Sequence, residues 1–303
     1  MNAVVILNQE AGSLQGERPT IAPEEIRAAF LAAGVVAEIR FLAAGQMAET
    51  FGEILKNPPD AIFVGGGDGT LSTAAAYLAG TSVPLGVLPL GTLNHFARDL
   101  GVPPAWRDAV AELVQGERRF VDLGEVNGRT FINNCSIGWY AEAVRRRDAL
   151  RRKHGLGKWW AMLRATTAVF LRLRRLRVHL QLGDRSLPLR TPFVVVANNR
   201  YSGRVLDSSL RPQLDEGRIW IYTTRARGRL AILRLIAQSL VRDLDATDEL
   251  DRLSATVADM TTQAARTAIA IDGELVNLQW PLRFRSLPGA LLVLVPRSKP
   301  ASP

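Results

Sequence analysis

The sequence predicts an α/β plus β protein, a doubly wound parallel sheet followed by a mostly antiparallel β-sandwich domain. Through the first 120 residues, short apolar runs alternate with helical patterns, as in a parallel sheet whose crossovers are helices. After Phe120 the runs become alternating or β-branched, and one clear helical pattern interrupts them. A glycine-rich loop follows the third strand of the first half, at the strand end where open α/β sheets bind ligands.

Residues 3–7 read as the first strand, and the amino terminus fits a buried strand better than a signal peptide. Pro23 suits the first turn of a helix with Ile26, Ala29, Phe30 and Ala33 on one face, closed by Gly34. Strands are expected over 35–41, 61–64 and 83–88, with helices over 47–56, 70–79, 93–100 and 104–115. Residues 120–126 and 129–134 flank Asn127-Gly128, the pattern of a hairpin with a type I′ turn. Further strands are expected over 176–182, 193–197, 219–223, 268–271 and 290–295, with a helix over 230–241. The domains are therefore drawn as 1–122 and 123–296, with the carboxy-terminal segment free to pack back on the first.

The chain has 303 residues, 47% of them hydrophobic, and mean hydropathy is near zero. That composition excludes a disordered or multiply membrane-spanning chain. A single cysteine, Cys135, excludes an internal disulfide and suits a reducing compartment. Between Arg145 and Arg177 stand twelve Lys/Arg and one acidic residue, Asp148, a local +11 within a chain of net +9. Such a patch attracts polyanions. Within it, Trp159, Trp160, Phe170 and Arg164 lie in a stretch too short and polar to span a bilayer. It reads either as a helix lying among lipid headgroups or as an amphipathic helix packed on the β domain. No nucleic-acid-binding motif accompanies the charge.

Gly65-Gly66-Gly67-Asp68-Gly69-Thr70 runs from the third strand into a helix. Glycines there expose backbone N–H groups to an anion, and the helix N-terminus adds positive potential. The loop is neither a Walker A motif nor Gly-x-Gly-x-x-Gly, because no lysine lies in it and Thr70 stands at the third glycine's place. Asp68 would repel a phosphate, so its place there suits Mg²⁺ or the proton of an attacking hydroxyl. Thr92 and Asn94 follow the fourth strand, which a parallel sheet places beside this loop; they can touch a polyphosphate, cap the next helix, or do both. Asp272 and Glu274, separated by Gly273, offer paired carboxylates for deprotonating an alcohol or holding a metal. Asp-Gly is equally a common hairpin turn.

Gly-Gly-Asp-Gly-Thr over 66–70 resembles the signature shared by diacylglycerol kinases, sphingosine kinases and NAD kinases. Pro89-Leu-Gly-Thr-Leu-Asn94, Asn133-Asn134-Cys-Ser136-Ile-Gly138 and Ile271-Asp272-Gly273-Glu274 resemble the bacterial lipid kinase branch, in the family's order. The resemblance implies an NAD-kinase-like nucleotide-binding domain over 1–122 and a lipid-acceptor domain over 123–296. It implies an ATP- and Mg²⁺-dependent kinase of diacylglycerol or a related lipid. An NAD-kinase-like small-molecule kinase and a non-catalytic lipid-binding relative are the alternatives. The nucleotide set it implies is Asn8, Gly65, Gly66, Gly67, Asp68, Gly69, Thr70, Thr92 and Asn94.

By the same resemblance Glu274 is the general base and Asp68 a metal or phosphate residue, although the sphingosine kinase branch points to Asp68 as base. The catalytic candidates are Glu274, Asp272 and Asp68. Gln213, Glu216 and Arg218 resemble a loop that binds a structural Mg²⁺ in bacterial relatives, with Glu216 where the family has aspartate. Gln9 and Thr73 also depart from the family's proline and glutamate. The implied partners are a lipid substrate and an anionic membrane surface met through 145–177, without nucleic acid; a homodimer is left open. The implied location is cytoplasmic, peripherally associated with the membrane.

Overall fold

The computed structural model describes residues 1–9, 21–154, 164, 175–202, 211–226, 228–241, 247, 249–263 and 267–297. The chain divides into two compact units, Met1–Leu123 with Gly289–Pro303, and Gly124–Pro288. The Trp159 to Leu171 stretch of the basic segment, Arg164 apart, lies outside the described residues, as does the loop from Glu10 to Gly12.

In the first unit, β1 (Asn2–Asn8), β2 (Val36–Leu42), β3 (Ala61–Gly66) and β4 (Leu85–Pro89) form a parallel sheet in the order β2-β1-β3-β4. The end of β16 (Leu282–Val295) joins it parallel to β4, with Val293 opposite Leu85. Every residue of β3 is buried, as expected of a central strand covered on both faces. The helices are α1 (Pro23–Ala32), α2 (Met47–Ile54), α3 (Asp68–Leu78), α4 (His95–Asp99) and α5 (Trp106–Val114). Gly34, at φ 79°, ends α1 while the Val35 N–H bonds the Phe30 carbonyl at 2.9 Å. This closure needs a left-handed residue, which glycine supplies without strain. Phe30 of α1 meets Phe63 of β3 edge-on, with ring centroids 4.8 Å apart.

The second unit is a two-sheet β structure. Its six-stranded antiparallel sheet runs β12 (Leu250–Ala255), β11 (Ile219–Thr224), β10 (Phe193–Asn198), β7 (Asn134–Gly138), β14 (Ile269–Ile271), β15 (Glu274–Val276). The other layer pairs the start of β16 with β13 (Val257–Thr262), then β8 (Leu176–Leu182) and β9 (Arg185–Thr191). Here β5 (Glu117–Val126) pairs with β6 (Arg129–Phe131) and with β16. Phe131, Ile137, Val178, Val194, Met260 and Phe284, drawn from both layers, share one buried core. Helices α6 (Trp139–His154) and α7 (Arg229–Val241) complete the unit.

The expected hairpin turn is present, with Asn127 at φ 48° and Gly128 at φ 80°. The expected strand over 129–134 is not continuous. It stops at Phe131 and resumes as β7 at Asn134, because the N–H groups of residues 132–134 bond a carboxylate described below. The strand expected over 290–295 begins at Leu282 and runs through Pro288-Gly289; the Gly289 N–H is satisfied by the buried Asp122 carboxylate at 2.8 Å. The helix expected from residue 93 starts at His95, because Asn94 is left-handed at φ 51°. Strands β9, β12, β13 and β15 were not expected.

Candidate functional site

Two groups of the expected residues are assembled, one in each unit. In the first, the β3–α3 and β4–α4 loops touch at their backbones. A Cβ on Gly91 would lie 2.5 Å from the Gly67 Cα, and one on Gly66 would lie 2.7 Å from the Thr70 Cβ. A Cβ on Gly65 would strike Leu7 at 2.6 Å and Leu90 at 2.7 Å. Neighbouring protein atoms therefore account for these three glycines. Gly67 is different. Its φ of −83° and ψ of 176° suit any residue, and a Cβ there would meet only the Gly91 Cα, at 3.9 Å. The space a side chain would fill is open at the amino end of α3, where the first N–H groups of a helix lack intrahelical acceptors. That opening fits a phosphate group.

Asp68 and Asn94 hold the two loops together. An Asp68 Oδ1 accepts the Phe96 N–H at 3.2 Å, so the carboxylate of one loop caps the helix of the other. The Asn94 side chain caps no helix. Its Oδ1 accepts the Gly91 N–H at 2.9 Å, while its Nδ2 donates to the carbonyls of Pro89 at 3.2 Å and Gly91 at 3.0 Å. Asn94 thus shapes the loop with both ends of its amide. Asn8, at the end of β1, donates to Thr70 Oγ1 at 2.7 Å. Thr92 is exposed, and Asp68, Gly69 and Thr70 are half-buried. A nucleotide-bound Mg²⁺ needs only one or two protein carboxylates, the rest of its shell being phosphate and water; the second oxygen of Asp68 meets that requirement.

In the second unit, Asp272 and Gly273, at φ 46° and 83°, form the two-residue turn between β14 and β15, and Ile271 pairs with Glu274. The common-turn reading of Asp-Gly holds, and Asp272 does more than turn. Its Oδ1 accepts the N–H groups of Asn133 at 2.8 Å and Asn134 at 2.9 Å, and its Oδ2 that of Ile132 at 3.0 Å. Its own N–H bonds the Asn134 carbonyl at 2.9 Å. Asp272 is therefore held against the strap over 132–134, whereas Glu274, two residues on, is exposed. Burial, and secondarily the Asp272 charge, push the Cys135 thiol well above its ordinary range.

The strap is held from its other side by residues that sequence reasoning passed over. Arg211, 1% exposed, bonds the Ile132 carbonyl and, at 2.6 Å, the Asn133 Oδ1. Asn198 donates to the Ile132 carbonyl at 3.1 Å, and the Tyr201 hydroxyl accepts from Asn134 Nδ2 at 2.9 Å. The repeated Asn-Asn pairs, 133–134 and 198–199, were the one signal in sequence.

Gln213, Glu216 and Arg218 share one loop, and Glu216 and Arg218 bond residues outside it. Glu216 Oε2 accepts from Trp220 Nε1 at 2.7 Å and from the Arg200 N–H at 3.2 Å. The Arg218 carbonyl accepts the Asn199 N–H at 3.2 Å. Among the described residues no three His, Cys, Asp or Glu cluster as metal ligands.

In the basic segment, Arg145 and Arg146 of α6 both bond Glu142, at 2.7 Å and 3.1 Å. Burial opposes ionisation of Glu142, but these bonds and the charges behind them outweigh it and hold the carboxyl below its usual range. No helix among the described residues is long and apolar enough to cross a membrane.

Residues 2–126 match the family model of the diacylglycerol kinase catalytic domain. A diacylglycerol kinase of Mycobacterium tuberculosis is 31% identical over 249 residues, covering 78% of this chain and 77% of that protein. A Pseudomonas fluorescens protein named probable lipid kinase YegS-like is 41% identical over 129 residues, 40% of this chain and 42% of its own. A Bacillus anthracis crystal structure assigned to the diacylglycerol kinases superposes with a TM-score of 0.76 at 25% identity, over 98% of both chains.

Proposed function

The chain belongs to the diacylglycerol kinase family and is a lipid kinase, and from that premise we propose that it transfers the γ-phosphate of ATP, with Mg²⁺, to a hydroxyl of diacylglycerol or a closely related lipid. The observation that carries this reading is the opening at Gly67, whose missing side chain neither backbone conformation nor packing explains. The backbone N–H groups at the start of α3 would hold the phosphates, and Thr70, positioned by Asn8, would bond the same chain. Asn94 would act by shaping the second loop rather than by contact, and Thr92, exposed beside it, would contact the nucleotide. Asp68 would hold Mg²⁺ through the oxygen that does not cap α4. When bound, that ion supplies positive charge against the charge that grows on the transferred group.

Glu274 is the proposed general base. It is exposed and stands on a turn whose geometry Asp272 fixes, so it can take the acceptor's proton as the hydroxyl attacks. Asp272 is assigned a positioning role, because its carboxylate already accepts three backbone N–H groups. The basic segment over 145–177 is the proposed contact with anionic lipid, each basic residue near the surface contributing about 1 kcal/mol.

Incubation with labelled ATP, Mg²⁺ and vesicles of mixed lipids is expected to label a phospholipid; label appearing on NAD alone would refute the assignment. Glu274→Ala should lose about 10²- to 10⁴-fold in turnover with an unchanged unfolding midpoint. Near-wild-type turnover in that variant would move the base to Asp68.

A further inference from the structure

Arg211 is among the largest fully buried side chains, and the chemistry above gives it no part. A guanidinium out of water is costly unless its donors find acceptors. Among the described residues, acceptors come from two segments. Nη1 bonds the carbonyls of Ile132 and, at 3.3 Å, Asn198, while Nη2 bonds the Asn133 Oδ1 at 2.6 Å. The Ile132 carbonyl and the Asn133 N–H belong to one peptide group. Its carbonyl faces the Arg211 cation, and its N–H points at the Asp272 carboxylate, 2.8 Å away. Cation, peptide dipole and carboxylate are aligned, and bonds to charged groups at both ends are the stronger kind. Ile132 and Asn134 add their own N–H groups to the same carboxylate, and Asp272 returns its N–H to the Asn134 carbonyl. The strap thus passes the position of Arg211 to Asp272, and Asp272 opens the turn that ends at Glu274.

We propose that Arg211 is a positioning residue for phosphoryl transfer, holding Glu274 in its working orientation through the strap over 132–134 and Asp272. The proposal rests on the kinase reading above. Lysine could keep the charge but not the planar fork that reaches three acceptors from two segments, so charge and geometry can be separated.

The test compares wild type, Arg211→Lys and Arg211→Met by steady-state kinetics against pH and by amide hydrogen exchange. By analogy with groups that orient metal ligands, whose loss costs about 10- to 100-fold, kcat is expected to fall about tenfold in the lysine variant and about 100-fold in the methionine variant. KM for ATP should stay within about twofold, because a positioning loss falls on the chemical step, and the acid limb of the kcat profile should move as the environment of Glu274 changes. Exchange at Ile132, Asn133, Asn134 and Asp272 should speed up in both variants, and Arg211→Lys decides the matter if Arg211→Met does not fold. Arg211→Lys with wild-type kcat, acid limb and protection overturns the proposal, as does a loss shared equally between kcat and KM for ATP with the acid limb unmoved. Faster exchange over 132–134 in a protein that phosphorylates no lipid would sink the kinase reading while leaving the clamp intact.

Discussion

Replacing Gly67 by alanine separates what the glycine loop does for the fold from what it does for a ligand. The added Cβ would lie 3.9 Å from the Gly91 Cα, in ordinary contact, and the backbone at φ −83° is open to alanine. Two small stability terms then oppose each other. Alanine narrows the unfolded ensemble, worth about 0.4–1 kcal/mol in favour of the fold. Gly67 is also the N-cap of α3, where alanine is poorer than glycine by an amount on the order of 1 kcal/mol. The net change should stay within ~1 kcal/mol, an unfolding midpoint moved by no more than ~4 °C. The cost to a nucleotide is larger. The methyl would occupy the opening at the amino end of α3 and separate the phosphates from at least one backbone N–H. A hydrogen bond to a charged group is worth about 1.5–3 kcal/mol, so affinity should drop by about 10- to 100-fold.

Thermal unfolding and ADP titration by calorimetry on the same preparation give both numbers. Gly91→Ala is the counterpart. Its Cβ would sit 2.5 Å from the Gly67 Cα and 2.7 Å from the Asn94 Oδ1, so it should lose about 1–3 kcal/mol of stability through forced backbone shifts. Wild-type ADP affinity in Gly67→Ala would refute the phosphate assignment for this loop. Severe destabilisation of Gly67→Ala would refute the claim that the position is open.

Asp272→Asn should destabilise the second unit by about 2 kcal/mol or more in urea unfolding, because the amide keeps one acceptor oxygen and turns N–H donors toward the strap. Glu142→Gln should remove a small acid-sensitive contribution to stability. The folded carboxyl is held below the ordinary glutamate range by Arg145 and Arg146 against the opposing effect of burial, so the wild-type contribution is present above that range and disappears as pH falls through the folded value; for pairs this exposed it is about a few tenths of a kcal/mol. Cys135 is fully buried and its thiol is pushed up, so a thiol reagent at pH 8 should leave the native protein unlabelled and modify it stoichiometrically in denaturant, and rapid native labelling would contradict the packing of β7.

What could be read in the sequence, and what could not, divides along the reach of the interactions. The parallel sheet was legible because strands such as β3 are apolar at nearly every position, a local consequence of burial on two faces. The Asn127-Gly128 and Asp272-Gly273 turns were legible for the same reason, their conformations being set by the residues themselves. Strand β9 was hidden by Pro188, which is tolerated there because β9 ends its layer and need not donate to a further strand. Strands β12 and β13 carry Asp, Arg, Ser and Thr among their apolar residues, so their alternation is weak where one face meets water.

Site chemistry divides in the same way. The glycine count around residue 67 pointed to an anion loop as an expectation, but nothing local to it says that Gly65, Gly66 and Gly91 are small for the sake of packing while Gly67 borders open space. That distinction needs the distance between two loops more than twenty residues apart in sequence. The clamp on Asp272 is more distant still, since its strap lies about 140 residues earlier and Arg211 about 60 residues earlier. In sequence Arg211 is one basic residue among 38, and a run of arginines draws attention to the 145–177 segment instead. A charge becomes informative when it is buried, because the acceptors that make its burial tolerable must converge on it from elsewhere in the fold. Here they converge on the peptide that also holds Asp272, so an arginine that the sequence does not single out is linked through that peptide to the turn that carries Glu274.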